Sequence, residues 1–253
     1  MVPVVAKRQF GVSTHLYHGK RLNRDHLQEI AAFGFEAVEL VAAQSHFDYR
    51  STAAVADLQQ WLAETSLELT NVRAPTDLST ADDAEQALFI ARRIPVKAFV
   101  MHLEGSRDTA RRNVERLAEL AEPLGVTLAL EVARDPLARS GSLVHFIEEH
   151  LEAEVGICFD FGHAHLDGDV VDAIETVSEH LIATHVHDNH GRTDDHLVPL
   201  DGTIDWPAAL TAVQKVGYDG PLIMEIRAHG STKATLARAR AARQKLEHML
   251  ADD

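Results

Sequence analysis

The sequence predicts a (β/α)8 TIM barrel of the α/β class, and three observations carry that prediction. Eight short β-rich runs recur along the chain, with segments of helical periodicity between them. No Pro/Gly/Ser-rich linker or low-complexity tract breaks the alternation. The length of 253 residues suits one barrel, so a single domain over residues 1–253 is expected. A doubly wound open sheet competes, but the glycine fingerprint of a dinucleotide site is absent.

The runs are FGVST (10–14), FEAVELV (35–41), ELTNVRA (68–74), AFVMHLE (98–104), VTLALEVA (126–133), GICFDFG (156–162), IATHVHD (182–188) and PLIMEIRA (221–228). Parallel strands need crossover helices, and 25–34, 51–65, 107–125, 168–181 and 205–217 have helical periodicity. Several of these segments close on a glycine suited to a helix C-cap.

Side chains alternate across a strand, so parity separates the barrel interior from the helix-facing side. Thr127, Ala129 and Glu131 are expected inside, as are Cys158 and Asp160, while Leu128, Leu130, Ile157 and Phe159 face the helices. The same count pairs Asn71 with Arg73, Val100 with His102, and Ile223 with Glu225. Glu39, Arg73, His102, Glu131, Asp160, His185 and Glu225 thus fall at or near C-terminal strand ends, where TIM barrels carry their chemistry. Any one of them can be an ordinary solvated strand end. The set is rich in His, Asp and Glu, the residue types that ligate metals.

The composition excludes several other classes. A net charge of −15, from 39 acidic against 24 basic residues, repels polyanions, so nucleic acid is not an expected partner. The basic runs ARRI, TARRNVERL and TLARARAARQKL read as amphipathic helix faces. One cysteine, Cys158, rules out an intramolecular disulfide framework. No run is long enough for a membrane span, and the apolar run of MVPVVAKRQF is too short for a signal peptide; a soluble, cytoplasmic protein is the expectation.

The densest stretch is HVHDNHGRTDDH (185–196), with four histidines and three aspartates. Taken in order with FGVSTHLY, GFEAVELV, ELTNVRAPTDLS, LAELAEPLGVTLALE, GICFDFGHAH and GPLIMEI, it resembles the xylose-isomerase-like barrel superfamily. That superfamily includes ketose 3-epimerases, inosose dehydratases, hydroxypyruvate isomerases and type IV apurinic endonucleases. The resemblance implies a divalent-metal site at Glu131, Asp160, His185 and Glu225. His185 and His187 share parity; His185 is preferred because the resemblance implies a ligand three residues before an acidic residue, here Asp188. The resemblance also assigns His163 to substrate or a second metal, and matches His102, Asp194 and His196 to positions of a three-metal cluster. For Asp194 and His196 a loop hydrogen-bonded over the rim is the simpler reading, and His187 and His190 are expected to support ligands or to face solvent.

Two departures stand out. RAP places Arg73 where the superfamily usually has a histidine, and HLEG (102–105) replaces a shorter turn. A guanidinium offers only donors, so Arg73 is expected to hold a substrate carboxylate, phosphate or hydroxyl-rich edge. Tyr17, His18, His46, Phe47, Arg134 and Arg227 are further pocket candidates.

The expected activity is that of a metal-dependent isomerase or epimerase of a sugar, sugar acid or keto-polyol. A divalent ion (Mn, Co, Fe, Zn or Mg) would stabilise an enediolate, with Glu131 and Glu225 transferring the proton. A keto-polyol dehydratase and a zinc-dependent, endonuclease-like phosphodiesterase are the alternatives. A small carbohydrate-like molecule is the expected partner, with pairing of copies a further expectation from relatives.

Overall fold

The computed structural model describes residues 8–75, 81–103 and 105–251. Glu104, read above into the fourth run, and residues 76–79 of the stretch ELTNVRAPTDLS lie outside the described residues. Eight parallel strands close into a barrel in chain order. They are β1 (Phe10–Ser13), β2 (Ala37–Val41), β3 (Glu68–Arg73), β4 (Ala98–Met101), β5 (Thr127–Glu131), β6 (Val155–Asp160), β7 (Leu181–Val186) and β8 (Leu222–Met224). The ring closes through β1 against β8, with Val12 opposite Met224. The fold is a single-domain (β/α)8 barrel.

Nine described helices surround it: α1 (Arg24–Ala32), α2 (Thr52–Thr65), α3 (Ala81–Leu88), α4 (Arg107–Ala121), α5 (Ser140–His150), α6 (Phe161–Asp167), α7 (Val170–Val177), α8 (Trp206–Lys215) and α9 (Thr232–Ala251). Local chemistry starts and stops them. Asn23 and His26 form a capping box on α1, while Ser51 and Ser106 accept from backbone N–H groups opening α2 and α4. Gly34 and Gly217, after α1 and α8, adopt the left-handed conformation that ends a helix. ARRI corrects an expectation: its first two residues end a 3-10 turn (Phe89–Arg92), and Pro95 follows, so it is not an α-helical face. Among the described residues no helix is long and apolar enough to cross a membrane.

Strand parity governs the packing. Leu128, Leu130, Ile157 and Phe159 belong to the large apolar layer between strands and helices. Ala98, Val100, Ala129, Cys158 and Ala183 form a separate small cluster inside the barrel. Four of these five precede an ionisable residue by two positions: Val100 and His102, Ala129 and Glu131, Cys158 and Asp160, Ala183 and His185. A floor of small side chains therefore lies directly under the polar rim. Burial within it pushes the Cys158 thiol up to about 12.

One buried carboxylate fixes the long connection after β7. Asp188 Oδ1 accepts from the backbone N–H of Asn189 at 2.9 Å and Ile204 at 3.2 Å; Oδ2 accepts from Leu200 N at 3.0 Å and Trp206 Nε1 at 2.8 Å. An antiparallel bridge from Asp188 to Leu197 folds the loop back on itself. Asp188 is fully buried, so these four donors offset the cost of its desolvation. Trp206→Phe keeps an aromatic ring, though a smaller one, and removes one donor to this carboxylate. The variant should lose about 1.5–3 kcal/mol of stability in urea denaturation; an unchanged midpoint and slope would show that the Asp188 anchor contributes little.

Candidate metal centre

Four strands deliver the four residues expected to meet. Glu131 and Asp160 are the last residues of β5 and β6, His185 lies next to last in β7, and Glu225 follows β8 directly. All four are fully buried. Each offers a ligand atom, and those atoms lie within 4.8 Å of one another. The grouping expected from sequence is thus present as geometry.

Two of the four candidate ligands, Asp160 and His185, are held from behind. Asp160 Oδ1 accepts from His163 N at 2.7 Å, capping α6. His185 Nε2 faces Glu39 Oε2 at 2.7 Å, leaving Nδ1 toward the cluster, 3.1 Å from Glu131 Oε1 and 3.6 Å from Glu225 Oε2. Glu39 is itself fixed by Ser13 Oγ, donating to Oε1 at 2.8 Å. A carboxylate behind a histidine is the usual support for a metal-ligating imidazole, because it sets the tautomer and the ring plane. Although burial opposes its ionisation, His185 titrates well above the ordinary histidine range, held there by the surrounding anionic groups, including Glu39, Glu225 and Glu131. To donate its lone pair, Nδ1 must give up a proton.

The donor set tests whether a divalent cation fits. Three carboxylates and one imidazole give the mixed O/N surroundings such an ion takes. Glu225 Oε2 is buried and accepts no hydrogen bond, so a ligand valence is directed into the cluster. The residues fit the ion.

Arg73, at the end of β3, also enters this cluster. Its Nη1 donates to Glu225 Oε1, Nη2 donates to Glu131 Oε1 at 3.3 Å, and Nε lies 3.3 Å from Glu131 Oε2. The side chain is 9% exposed. Burial opposes the charged forms of all three groups, but attraction wins: Arg73 is held above its usual range, and Glu131 and Glu225 well below the usual carboxylate range. His102 Nε2 sits 2.9 Å from Arg73 Nη2 and 2.6 Å from Glu131 Oε2, and one ring nitrogen can satisfy only one of them.

Beside the four-residue cluster lies a row of imidazoles. His187 stacks on His196 with centroids 4.2 Å apart, and His196 stacks on His15 at 4.9 Å. Asp194 joins His163 and His196, with its Oδ2 at 3.4 Å and 3.0 Å from their Nε2 atoms. Against the penalty of burial, Asp160 and Asp194 raise His163 to about 10, and the two histidines hold Asp194 below its usual range. His196 Nδ1 donates to the carbonyl of Glu225 at 2.8 Å. The loop bearing Asp194 and His196 is therefore folded over the rim and hydrogen-bonded there.

His187 and His190 separate. His190 is exposed, but His187 is fully buried with Nε2 3.0 Å from Asp160 Oδ1. Gly162 makes this approach possible, since a Cβ there would lie 1.9 Å from the His187 ring. A second group that meets the geometry of a metal site is His187, His196 and Glu225. His15 was not singled out from sequence: its Nδ1 lies 3.1 Å from Glu225 Oε1. Strand parity does not reach it, because the chain turns into a 3-10 helix (Thr14–Tyr17) directly after Ser13. Glu39 was noted only as a strand-end acid, although parity directs it inward.

The loop candidates scatter. Tyr17 is buried and donates to Glu29, His46 Nδ1 meets the carbonyl of Lys20, and Phe47 packs in the core. His18 and Arg134 are exposed, while Arg227 Nε reaches His15 Nε2 at 3.4 Å.

An eight-stranded parallel barrel with a carboxylate–imidazole cluster at its C-terminal strand ends defines a TIM barrel carrying a candidate metal centre. A family model described as "Xylose isomerase-like TIM barrel" matches residues 27–251, and the chain belongs to that family. It is 31% identical over 172 residues to the uncharacterized protein y4fM of Sinorhizobium fredii, covering 60% of this chain and 55% of that protein. The chain thus spans about half the length of that relative. It is 22% identical over 233 residues to the D-psicose 3-epimerase of Enterocloster bolteae, covering 80% of this chain and 76% of that one. The crystal structure of a D-tagatose 3-epimerase-like protein superposes with a TM-score of 0.83 at 22% identity, over 96% of this chain and 98% of that one.

Removing the guanidinium leaves two buried carboxylates without their main counter-charge. In protein stripped with a chelator, Arg73→Met should cost about 3–5 kcal/mol at neutral pH. The Glu131 and Glu225 pKa values are depressed, so their contribution is full above the ordinary carboxylate range and lost as pH falls through the folded values. In the variant those carboxyls protonate more readily, so its deficit relative to wild type should shrink on acidification. Denaturation at neutral and acidic pH reads this directly; a pH-independent deficit contradicts the pairing.

Proposed function

We propose that this protein is a divalent-metal-dependent epimerase or isomerase acting on a sugar, sugar acid or keto-polyol. The observation that carries the reading is the meeting of Glu131 and Glu225, from different strands, in one buried cluster with Asp160 and His185. Family membership and relatives named as 3-epimerases support it.

Glu131, Asp160, Glu225 and His185, through Nδ1, would hold the ion. When bound, it supplies positive charge that stabilises the anion left as a proton departs from carbon beside a carbonyl. Glu131 and Glu225 each have two carboxylate oxygens, so one can ligate while the other moves a proton. One glutamate takes the proton from one face of the carbon and the other returns it to the opposite face, which inverts the centre. Arg73 and the His102 ring lie against Glu131, where they favour its ionised, proton-accepting form. His163, Asp194 and His196 form a hydrogen-bonding wall beside Asp160 and Glu225, suited to orient substrate hydroxyls.

Arg73 weighs against the phosphodiesterase alternative. It offers no lone pair where the resemblance would place a metal ligand, and the net charge of −15 opposes a nucleic-acid substrate.

Glu131→Gln and Glu225→Gln should each lower turnover of an epimerised ketose by at least about 10²-fold. Deuterium uptake at the carbon beside the carbonyl, followed by NMR in heavy water, measures the proton transfer itself. Near-native uptake in either metal-loaded variant would show that the two-glutamate scheme is wrong.

A further inference from the structure

Arg73 and a divalent ion claim the same carboxylates. The guanidinium donates to Glu225 Oε1 and Glu131 Oε1 and lies against Glu131 Oε2. Glu131 and Glu225 also belong to the four-residue group whose ligand atoms converge. An ion drawing on both glutamates, even through the unbonded Glu225 Oε2, takes negative charge that Arg73 now balances. Arg73 cannot respond by losing its proton, and an almost buried guanidinium without an anion is costly.

The described surroundings provide no replacement. Glu39 is already committed, with Oε1 accepting from Ser13 and Oε2 from His185 Nε2 and Asn71 Nδ2. Asp160, the remaining acid that acts on Arg73, belongs to the converging group itself, and the hydrogen-bonding neighbours left are imidazoles, His102 at 2.9 Å and His15 at 3.5 Å, which bring no negative charge. The edge beyond them opens toward solvent: the His102 side chain is 29% exposed. There Arg227 is exposed, contacts His15, and forms no ion pair among the described residues. A buried guanidinium and an exposed one thus flank His15 at the mouth of the cluster.

We propose that the missing anion is the substrate's own carboxylate: the site accepts a keto-sugar acid, whose carboxylate binds the Arg73 fork with Arg227 as the outer cation. The planar fork matches two carboxylate oxygens, which gives both charge balance and orientation. This deepens the epimerase reading and rests on it. It also makes metal and sugar acid mutually reinforcing ligands, because each removes the other's competitor: the ion frees Arg73, and the carboxylate draws Arg73 from the metal ligands.

Isothermal titration with Mn2+ as the metal probe tests the two readings separately. Mn2+ alone should bind wild type and be lost in Glu225→Gln; absence of Mn2+ binding at this cluster overturns the epimerase reading and with it this inference. On Mn2+-loaded protein, D-fructose, D-fructuronate and D-fructose 6-phosphate are compared, as are D-tagatose and D-tagaturonate. At least one uronate should bind about tenfold or more tighter than its neutral ketose, the span a charge-assisted hydrogen bond supplies. That uronate should tighten Mn2+ by the factor by which Mn2+ tightens it. Arg73→Gln should abolish both the preference and the linkage while tightening Mn2+ alone, and Arg73→Lys should restore only part of the preference. Should Arg73→Gln fail to fold, the linkage in wild type still decides. Equal affinities, no detectable uronate binding, tighter binding of the phosphate, or no linkage to Mn2+ overturns the keto-sugar acid, and Mn2+ binding lost in Glu225→Gln leaves the epimerase reading standing.

Discussion

The constraint on which the site depends is electrostatic: Glu39, Glu131, Asp160 and Glu225 are all fully buried at one end of a barrel whose inner floor is apolar. Four carboxylates at such depth repel each other and lose their hydration, so the surroundings must return positive charge and hydrogen-bond donors. Arg73 supplies a permanent charge, while the His185 and His187 rings lie in direct contact with these acids.

The fold makes this concentration tolerable by separating tasks among carboxylates that look alike in sequence. Asp188 is turned into the loop and saturated by three backbone N–H groups and the Trp206 indole, so it anchors the rim. Asp160, on the neighbouring β6, caps α6 through one oxygen while facing His187 and the cluster. Asp194 is held between His163 and His196 on the outer side. Backbone direction at the end of each strand assigns these roles.

Much of this was legible because a parallel barrel obeys parity. Glu131, Asp160 and His185 fall into the interior by counting alternate residues from Ala129, Cys158 and Ala183, and the packing agrees. Strand ends were less legible. The run GICFDFG reads as strand throughout, yet Asp160 caps a helix whose first residues are Phe161 and Gly162. Composition could not distinguish these states, since Phe161 is as apolar and buried as Phe159. The burial of His187 was not legible either, because its space comes from a missing Cβ at Gly162 on another strand's connection. Arg73 was recognisable as unable to ligate, but its pairing with two glutamates far along the chain is a property of closure alone.

The central claim is that Glu131, Asp160, His185 and Glu225 can share one cation. Anomalous diffraction from crystals soaked in Mn2+ tests it most directly. The account predicts an anomalous peak within bonding distance of one carboxylate oxygen from each acid and of His185 Nδ1, with the Arg73 guanidinium moved off Glu225. A cluster without such a peak, or an ion bound elsewhere while Arg73 still bridges the two glutamates, would contradict it.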